Sequence, residues 1–213
     1  MNSEYDFEPV KGLPAELPRG EQLLWQGSPQ WKSLALHGYH VRKFALYFVL
    51  LVLWRAGEGM AGGESAAQLL LGCAWLLLLG TVVCTLLLGL ARLAARATLY
   101  TITNRRIVMR HGIALPMSVN IPFTAVQAAS MRVYADGSGE ICVALLPNQR
   151  LGYLLNWPHV RPWKFAEPQA MLRTVPQATL VAELLIGALR SAVPGAVASQ
   201  STDAGLPTHS LAA

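Results

Sequence analysis

From Ala66 to Leu90 the chain runs 25 residues without a charged side chain, and only Gln68, Thr81 and Thr85 are distinctly polar. At 1.5 Å per residue a helix of that length measures about 37 Å, against roughly 30 Å of bilayer hydrocarbon. Core helices of soluble proteins stop well short of this. The run is therefore read as a membrane span with room to tilt. A chain of 213 residues then has space for one small domain beside its anchor. Composition agrees, with 53% hydrophobic and only 14% charged residues, where an ordinary soluble domain carries about 25% charged. That balance argues against a disordered regulator and against a free cytosolic enzyme.

An earlier apolar run, Phe44–Trp54, has only 11 uncharged residues. Extended to Gly38–Gly57 it reaches 20 residues and takes in Arg42, Lys43 and Arg55. Long basic side chains near a helix end reach the headgroups while their methylenes stay in lipid. Trp54 sits where an interfacial aromatic belongs. A second span is expected here. Between the two runs, Arg55–Ser65 is short and holds four glycines, so the spans form an antiparallel hairpin. That link carries one base and two acids, whereas Arg42 and Lys43 precede the hairpin and Arg92 and Arg96 follow it. The positive-inside rule then places both termini in the cytoplasm. The first 35 residues lack an apolar core and carry more acid than base, so no cleaved signal peptide is expected. Cys73 and Cys84 fall within the second span as small packing residues, and with Cys142 they make an odd count that fits no disulfide framework or zinc site.

Outside the spans the reading is of three parts. Residues 1–36 are an extended, proline-marked segment with a short strand at Gln22–Gln26, closed by Gly27-Ser28-Pro29. Residues 37–97 hold the hairpin, with helices at about 38–57 and 66–92. Residues 98–193 read as a small β domain. Thr98–Thr103 and Arg106–Met109 flank Asn104-Arg105 as a hairpin. Ser118–Phe123 is another strand. Met131–Tyr134 and Glu140–Leu146 flank Asp136-Gly137, a strong hairpin turn, and Leu151–Leu155 adds one more. Such spacing points to a β-sandwich or barrel. Gln177–Arg190 then presents Leu180, Leu184, Leu185 and Ala188 on one face, an amphipathic helix that caps the domain. A third span is rejected, since six residues separate Glu183 from Arg190. The tail, 194–213, has no periodic apolar pattern and reads as disordered. The fold class expected is an α+β membrane protein, a transmembrane hairpin with a cytoplasmic β-sandwich or barrel capped by a C-terminal helix.

No Ser/His/Asp grouping, Walker loop, Rossmann fingerprint or zinc-ligand spacing occurs, so no catalytic residue or metal ligand is assigned and an enzyme is not expected. Positive charge gathers at the membrane boundary, where anchoring accounts for it, and a nucleic-acid partner is not expected.

Three features carry a resemblance. Glu-x-Leu-Leu-Trp-x-Gly-x-Pro (Glu21–Pro29) precedes the hairpin, and Tyr100-Thr-Ile-Thr-Asn-Arg-Arg-Ile107 with Gly112 follows it. Together they resemble the bacterial pleckstrin-homology-like domains anchored by such hairpins. The acidic start Asp6–Pro14, Asn156-Trp-Pro-His-Val-Arg-Pro-Trp163 and Pro168-Gln-x-Met-Leu-Arg173 are similar to the photosynthetic reaction-centre assembly proteins of purple bacteria. The likeness covers roughly residues 4–192. It implies that the strand before the hairpin joins the sheet made after it. It also implies a non-enzymatic helper of the inner, intracytoplasmic membrane, which self-associates as a dimer and serves the reaction centre and its core antenna. Its partners would be subunits of those complexes, other assembly factors and membrane lipids. A generic membrane-anchored scaffold or lipid sensor of the same fold is the alternative.

Candidate residues follow. Pro158, Pro162 and Pro168 make Asn156–Arg173 an irregular segment. Its Trp157, His159, Arg161, Trp163, Met171 and Arg173 are candidate partner contacts, Trp, Met and Arg being enriched at interfaces; the other reading has the tryptophans plug the barrel. Arg42, Lys43, Arg92 and Arg96 form the basic membrane boundary, as topological anchors or contacts to anionic lipid. His37 and His40, three apart, are placed on one helical face. They are either axial ligands in a transient bacteriochlorophyll contact or polar aromatic groups at headgroup level; pigment ligands sit deeper, which favours the second. No resident cofactor is expected. His111 is placed in a basic turn and His209 in the tail.

Overall fold

A computed structural model describes residues 17–113, 115–147, 152–153, 156–163, 165 and 167–192. Strand β1 (Leu23–Gly27) leads into a short helix, α1 (Trp31–Ser33), and a π-helical turn over Leu34–Gly38. Two long helices follow, α2 (Val41–Ala61) and α3 (Ala66–Ala97). Strands β2 (Leu99–Thr103), β3 (Arg106–His111) and β4 (Met117–Pro122) complete an antiparallel sheet in the order β1-β2-β3-β4. A 3-10 turn at Phe123–Ala125 passes to β5 (Val126–Val133), β6 (Gly139–Leu145) and β7 (Ala170–Val175), an antiparallel three-stranded sheet. Helix α4 (Ala178–Ala192) closes the domain.

The core lies between the sheets. Tyr100, Ile102, Ile107, Met109 and Ile121 of the first meet Ile141, Val143, Leu172 and Val175 of the second, joined by Val181, Leu185 and Leu189 of α4. Strand alternation explains the first sheet: Tyr100 and Ile102 on β2 and Ile107 and Met109 on β3 point to one face. On α4 the buried stripe is Ala178, Val181, Ala182, Leu185, Ala188 and Leu189. Leu180, expected on that face, is 55% exposed, because the stripe set by Val181 and Leu185 is turned one residue from it.

Sheet one is interrupted in sequence but not in space. β1 pairs with β2 with Gly27 opposite Tyr100 and Trp25 opposite Ile102, although residues 28–98 intervene. The insert is possible because α2 and α3 run out and back. Their 21 and 32 residues give helices of about 31 and 48 Å, both long and apolar enough to cross a membrane. The surplus at the end of α3 packs on the domain side, where Ala94 and Ala95 enclose Leu34, with Trp31 and Tyr39 against them.

The hairpin link is tighter than expected. Helix α2 continues through Arg55 to Ala61, and only residues 62–65 turn the chain. Gly59 and Gly72 lie where a side chain would strike the facing helix pair: a Cβ on Gly59 would meet Leu69, and one on Gly72 the Arg55 guanidinium. Arg55 pairs with Glu64 at 2.6 Å. Ser65 starts α3 in a reciprocal cap with Gln68. The first helix thus spans 41–61 rather than about 38–57.

Two further differences concern strands. β5 begins at Val126, five residues before the expected Met131, as Val126–Met131 pairs along β6 to Leu145. The segment Asn156–Arg173 is not irregular throughout: from Ala170 it is strand β7, every residue of which is buried. Between Pro168 and Pro176 there is no proline, so every residue of β7 keeps its backbone N–H. The expected strand Leu151–Leu155, the extended start of the chain and the tail 194–213 lie wholly or partly outside the described residues.

Candidate functional site at the base of the helical hairpin

Polar residues gather where the helices meet the β domain. Tyr100 projects from β2 into the core, fully buried. Its hydroxyl lies 2.7 Å from Nδ1 of His159 and accepts the Arg173 backbone N–H at 3.0 Å. The hydroxyl therefore donates to Nδ1, which leaves His159 Nε2–H to donate to Thr98 Oγ1 at 3.2 Å. Thr98 is the single residue between α3 and β2, so this histidine reads the end of the second long helix directly.

A second histidine stands beside the first. The His111 ring lies 4.8 Å from that of His159, and its Nε2 donates to Asn156 Oδ1 at 3.1 Å. Asn156 in turn donates to the Gly152 carbonyl at 2.8 Å. Burial holds His159 far below the usual imidazole range, at about 3, and Arg173, with His111 once that ring is protonated, pushes the same way. Burial lowers His111 as well, opposed by its bond to Asn156. Both rings are neutral near pH 7. Burial raises the Tyr100 phenol well above its ordinary value, so it stays protonated.

Arg173 is the cation of this joint. Its guanidinium is almost fully buried, 3.9 Å from Glu140, and no described residue meets its Nε. A bulge puts it there. Between the pairs Gly139–Val175 and Ile141–Leu172 the register slips, so Arg173 N–H turns away from β6 to Tyr100. Thr174 takes a left-handed φ of 44°, which costs about 1–3 kcal/mol for such a residue. Its carbonyl receives Gln30 N–H at 2.9 Å. The strain is offset by tying β7 to the stretch that leaves β1 for the hairpin.

The same stretch is held from the other side. Ser33 Oγ meets Ser138 Oγ at 2.7 Å, and the His37 ring stacks on Tyr134 at 3.7 Å and 10°. Asp136 accepts from Ser138 N and Oγ, which lowers its carboxyl below the usual range. The β5–β6 turn thus grips the start of the hairpin.

The candidate residues separate accordingly. His159, Met171 and Arg173, expected as partner contacts, are buried to 1%, 1% and 6% exposure: they build the joint. Arg161 bonds Gln169 across the Val160–Ala170 bridge. Trp157 and Trp163 are exposed, the former with its ring 6.2 Å from Tyr39. Arg42 and Lys43 start α2 and Arg92 and Arg96 end α3, all four exposed, with Arg92 over the Trp31 ring at 5.3 Å. His37 and His40 do not share a helical face. His37 belongs to the π turn, whereas His40 has a φ of 54° that breaks the helix before α2 begins. His111 ends β3 in the core rather than in a basic turn. Thr98, Tyr100, Glu140 and Asn156 were missed; the sequence signal for Tyr100 and Arg173 is a polar group among apolar strand residues.

Comparison with known proteins gives two matches. The family described as "Bacterial PH domain" matches residues 48–188. A Rhodobacter capsulatus protein, "Uncharacterized 23.7 kDa protein in puhA 5'region", is 38% identical over 208 residues, covering 95% of this chain and 96% of that one. No solved structure matches.

Proposed function

The chain belongs to the bacterial PH domain family, and from that premise we propose that it is a non-enzymatic assembly factor for the photosynthetic reaction centre and core antenna of a purple bacterium, of the kind represented by PuhB. The observation that carries this reading is the near full-length similarity to a protein named for its place in the puhA 5' region, beside the resemblance of Asn156–Trp163 to reaction-centre assembly proteins. The fold supports it in two ways. Two apolar helices, their outer faces bare, offer lipid-facing surfaces to nascent membrane subunits. The buried joint below them ties those helices to the β domain, so that a load on one is felt by the other.

In this reading α2 and α3 cross the inner membrane and both termini stay in the cytoplasm, as the basic residues at the open end of the hairpin favour. A groove of about 280 Å³ between the helices, lined by Ala45, Phe48, Gly80, Thr81 and Cys84 among others, offers a partner helix close approach. A deletion strain tests the function. Near-infrared absorption of the core complex falls when the gene is removed and returns when it is restored. Unchanged absorption refutes the assignment and leaves the generic scaffold.

A further inference from the structure

Two loops of the β domain carry large apolar side chains that stay exposed. The β3–β4 loop exposes Ile113 at 51% and Leu115 at 78%. The segment before β7 exposes Trp157 at 56%, Trp163 at 87% and Phe165 at 62%. Exposed large residues clustered in this way mark a contact surface.

Topology fixes where these loops lie. Strand β2 starts one residue after α3, and β3 runs antiparallel to it with Arg110 opposite Leu99. The β3–β4 loop therefore emerges beside the end of α3. Asn156 is bonded to His111 at the end of β3, His159 to Thr98, and the Trp157 ring packs edge-on to Tyr39, two residues before α2. The β3–β4 loop and the start of the segment before β7, Asn156–His159, thus open at the level where the hairpin leaves the domain, and Trp163 and Phe165 follow within six residues of His159. Arg42, Lys43, Arg92 and Arg96 stand exposed at that level.

We propose that Ile113, Leu115, Trp157, Trp163 and Phe165 form a rim that inserts into the headgroup and upper acyl region of the same leaflet from which α2 and α3 emerge. This rests on the reading of those helices as spans. The occupant is lipid because the rim continues a surface that is already lipidic. Tryptophan and aliphatic loops beside a basic collar suit an anionic interface, where indole prefers the headgroup level and arginine and lysine meet phosphate. The domain is then seated on the bilayer at several points rather than hung from two helices, which fixes its orientation towards neighbouring membrane proteins.

Depth-resolved labelling of the full-length chain tests this. With Cys73, Cys84 and Cys142 replaced by alanine, an environment-sensitive fluorophore is placed by Leu115→Cys or Trp163→Cys. Trp75→Cys in α3 and Arg105→Cys at the far β2–β3 turn are the references. The protein is reconstituted in vesicles of phosphatidylcholine and phosphatidylglycerol carrying nitroxide-labelled lipid. The rim labels shift to the blue relative to position 105, are quenched most by nitroxide near the headgroup, and are protected from aqueous iodide. Rim labels that behave like position 105 while position 75 is quenched overturn the rim and leave the spans. A label at 75 that lipid nitroxide does not reach refutes the spans and the rim together. Rim labels shielded from both iodide and lipid, more so at higher protein density, identify a second copy or another protein as the occupant and overturn the proposal.

Discussion

His159 accepts a proton from Tyr100 at one ring nitrogen and gives one to Thr98 at the other. The fold has therefore chosen its neutral tautomer, and a second proton would have to displace the tyrosine hydroxyl and sit beside His111. The unfolded chain takes that proton near 6.5, the folded one only at about 3. Over that interval the unfolded state binds more protons, so stability is complete above pH 6.5 and is lost as pH falls towards 3. His111 and His40 are lowered too and act in the same sense. Asp136, whose pKa is lowered from 3.8, contributes in the same direction but only as pH falls below about 3.8. Denaturant midpoints in detergent are thus expected to decline between pH 6.5 and 4.5, above the interval in which Asp136 contributes. A flat profile over that window contradicts the neutral-histidine network.

At the scale of elements, the two sequence motifs are two halves of one seam. Asn104 accepts from Gln22 N–H at 3.0 Å and donates to the Gly20 carbonyl at 3.0 Å, so its side chain caps the start of β1. Arg106 grips Glu21 with two bonds, Nε to Oε1 at 2.7 Å and Nη2 to Oε2 at 3.0 Å. Thr103 Oγ1 receives both Arg105 and Arg106 N–H and shapes the turn between. Tyr100, at the other end of the motif, belongs to the buried joint. The Glu21 carboxylate is nearly inaccessible whereas Arg106 is partly open, so removing the charge on the buried side matters more. Glu21→Gln keeps the shape but loses the charge-assisted pair, at a cost on the order of 2 kcal/mol. Hydrogen exchange is expected to show it first in β1, with β3 and β4 less affected. Uniform loosening of the whole sheet would show that the pair serves the core instead.

Over the whole molecule, the hairpin is inserted into a sheet rather than appended to a finished domain. A fragment of residues 98–192 lacks β1 and leaves the edge of β2 open, with Asn104 and Arg106 without their partners, an arrangement prone to edge pairing. Such a fragment is expected to aggregate and to be cleaved rapidly. Joining residues 17–30 to 98–192 by a short flexible linker restores the edge, since Gly27 stands opposite Tyr100, and protease resistance rises. Equal sensitivity of the two fragments would mean that β1 contributes little to the sheet.

The long helices, the strands around Asn104-Arg105 and Asp136-Gly137, and the closing helix were legible in the chain, because each follows from local periodicity or from a turn that two or three residues specify. Families of such local signals also carried the bacterial PH resemblance. Three other things had no local signature. That Met171 and Arg173 are buried depends on β7 pairing with β6, a long-range ladder that proline counting over Asn156–Arg173 hid. That His37 stacks on Tyr134 and His159 bonds Tyr100 depends on segments about 97 and 59 residues apart coming together. Periodicity reports which face of an element turns inwards; which groups meet there is decided only when the sheets close, since burial then leaves each polar atom to find a partner among whatever the topology has brought within reach.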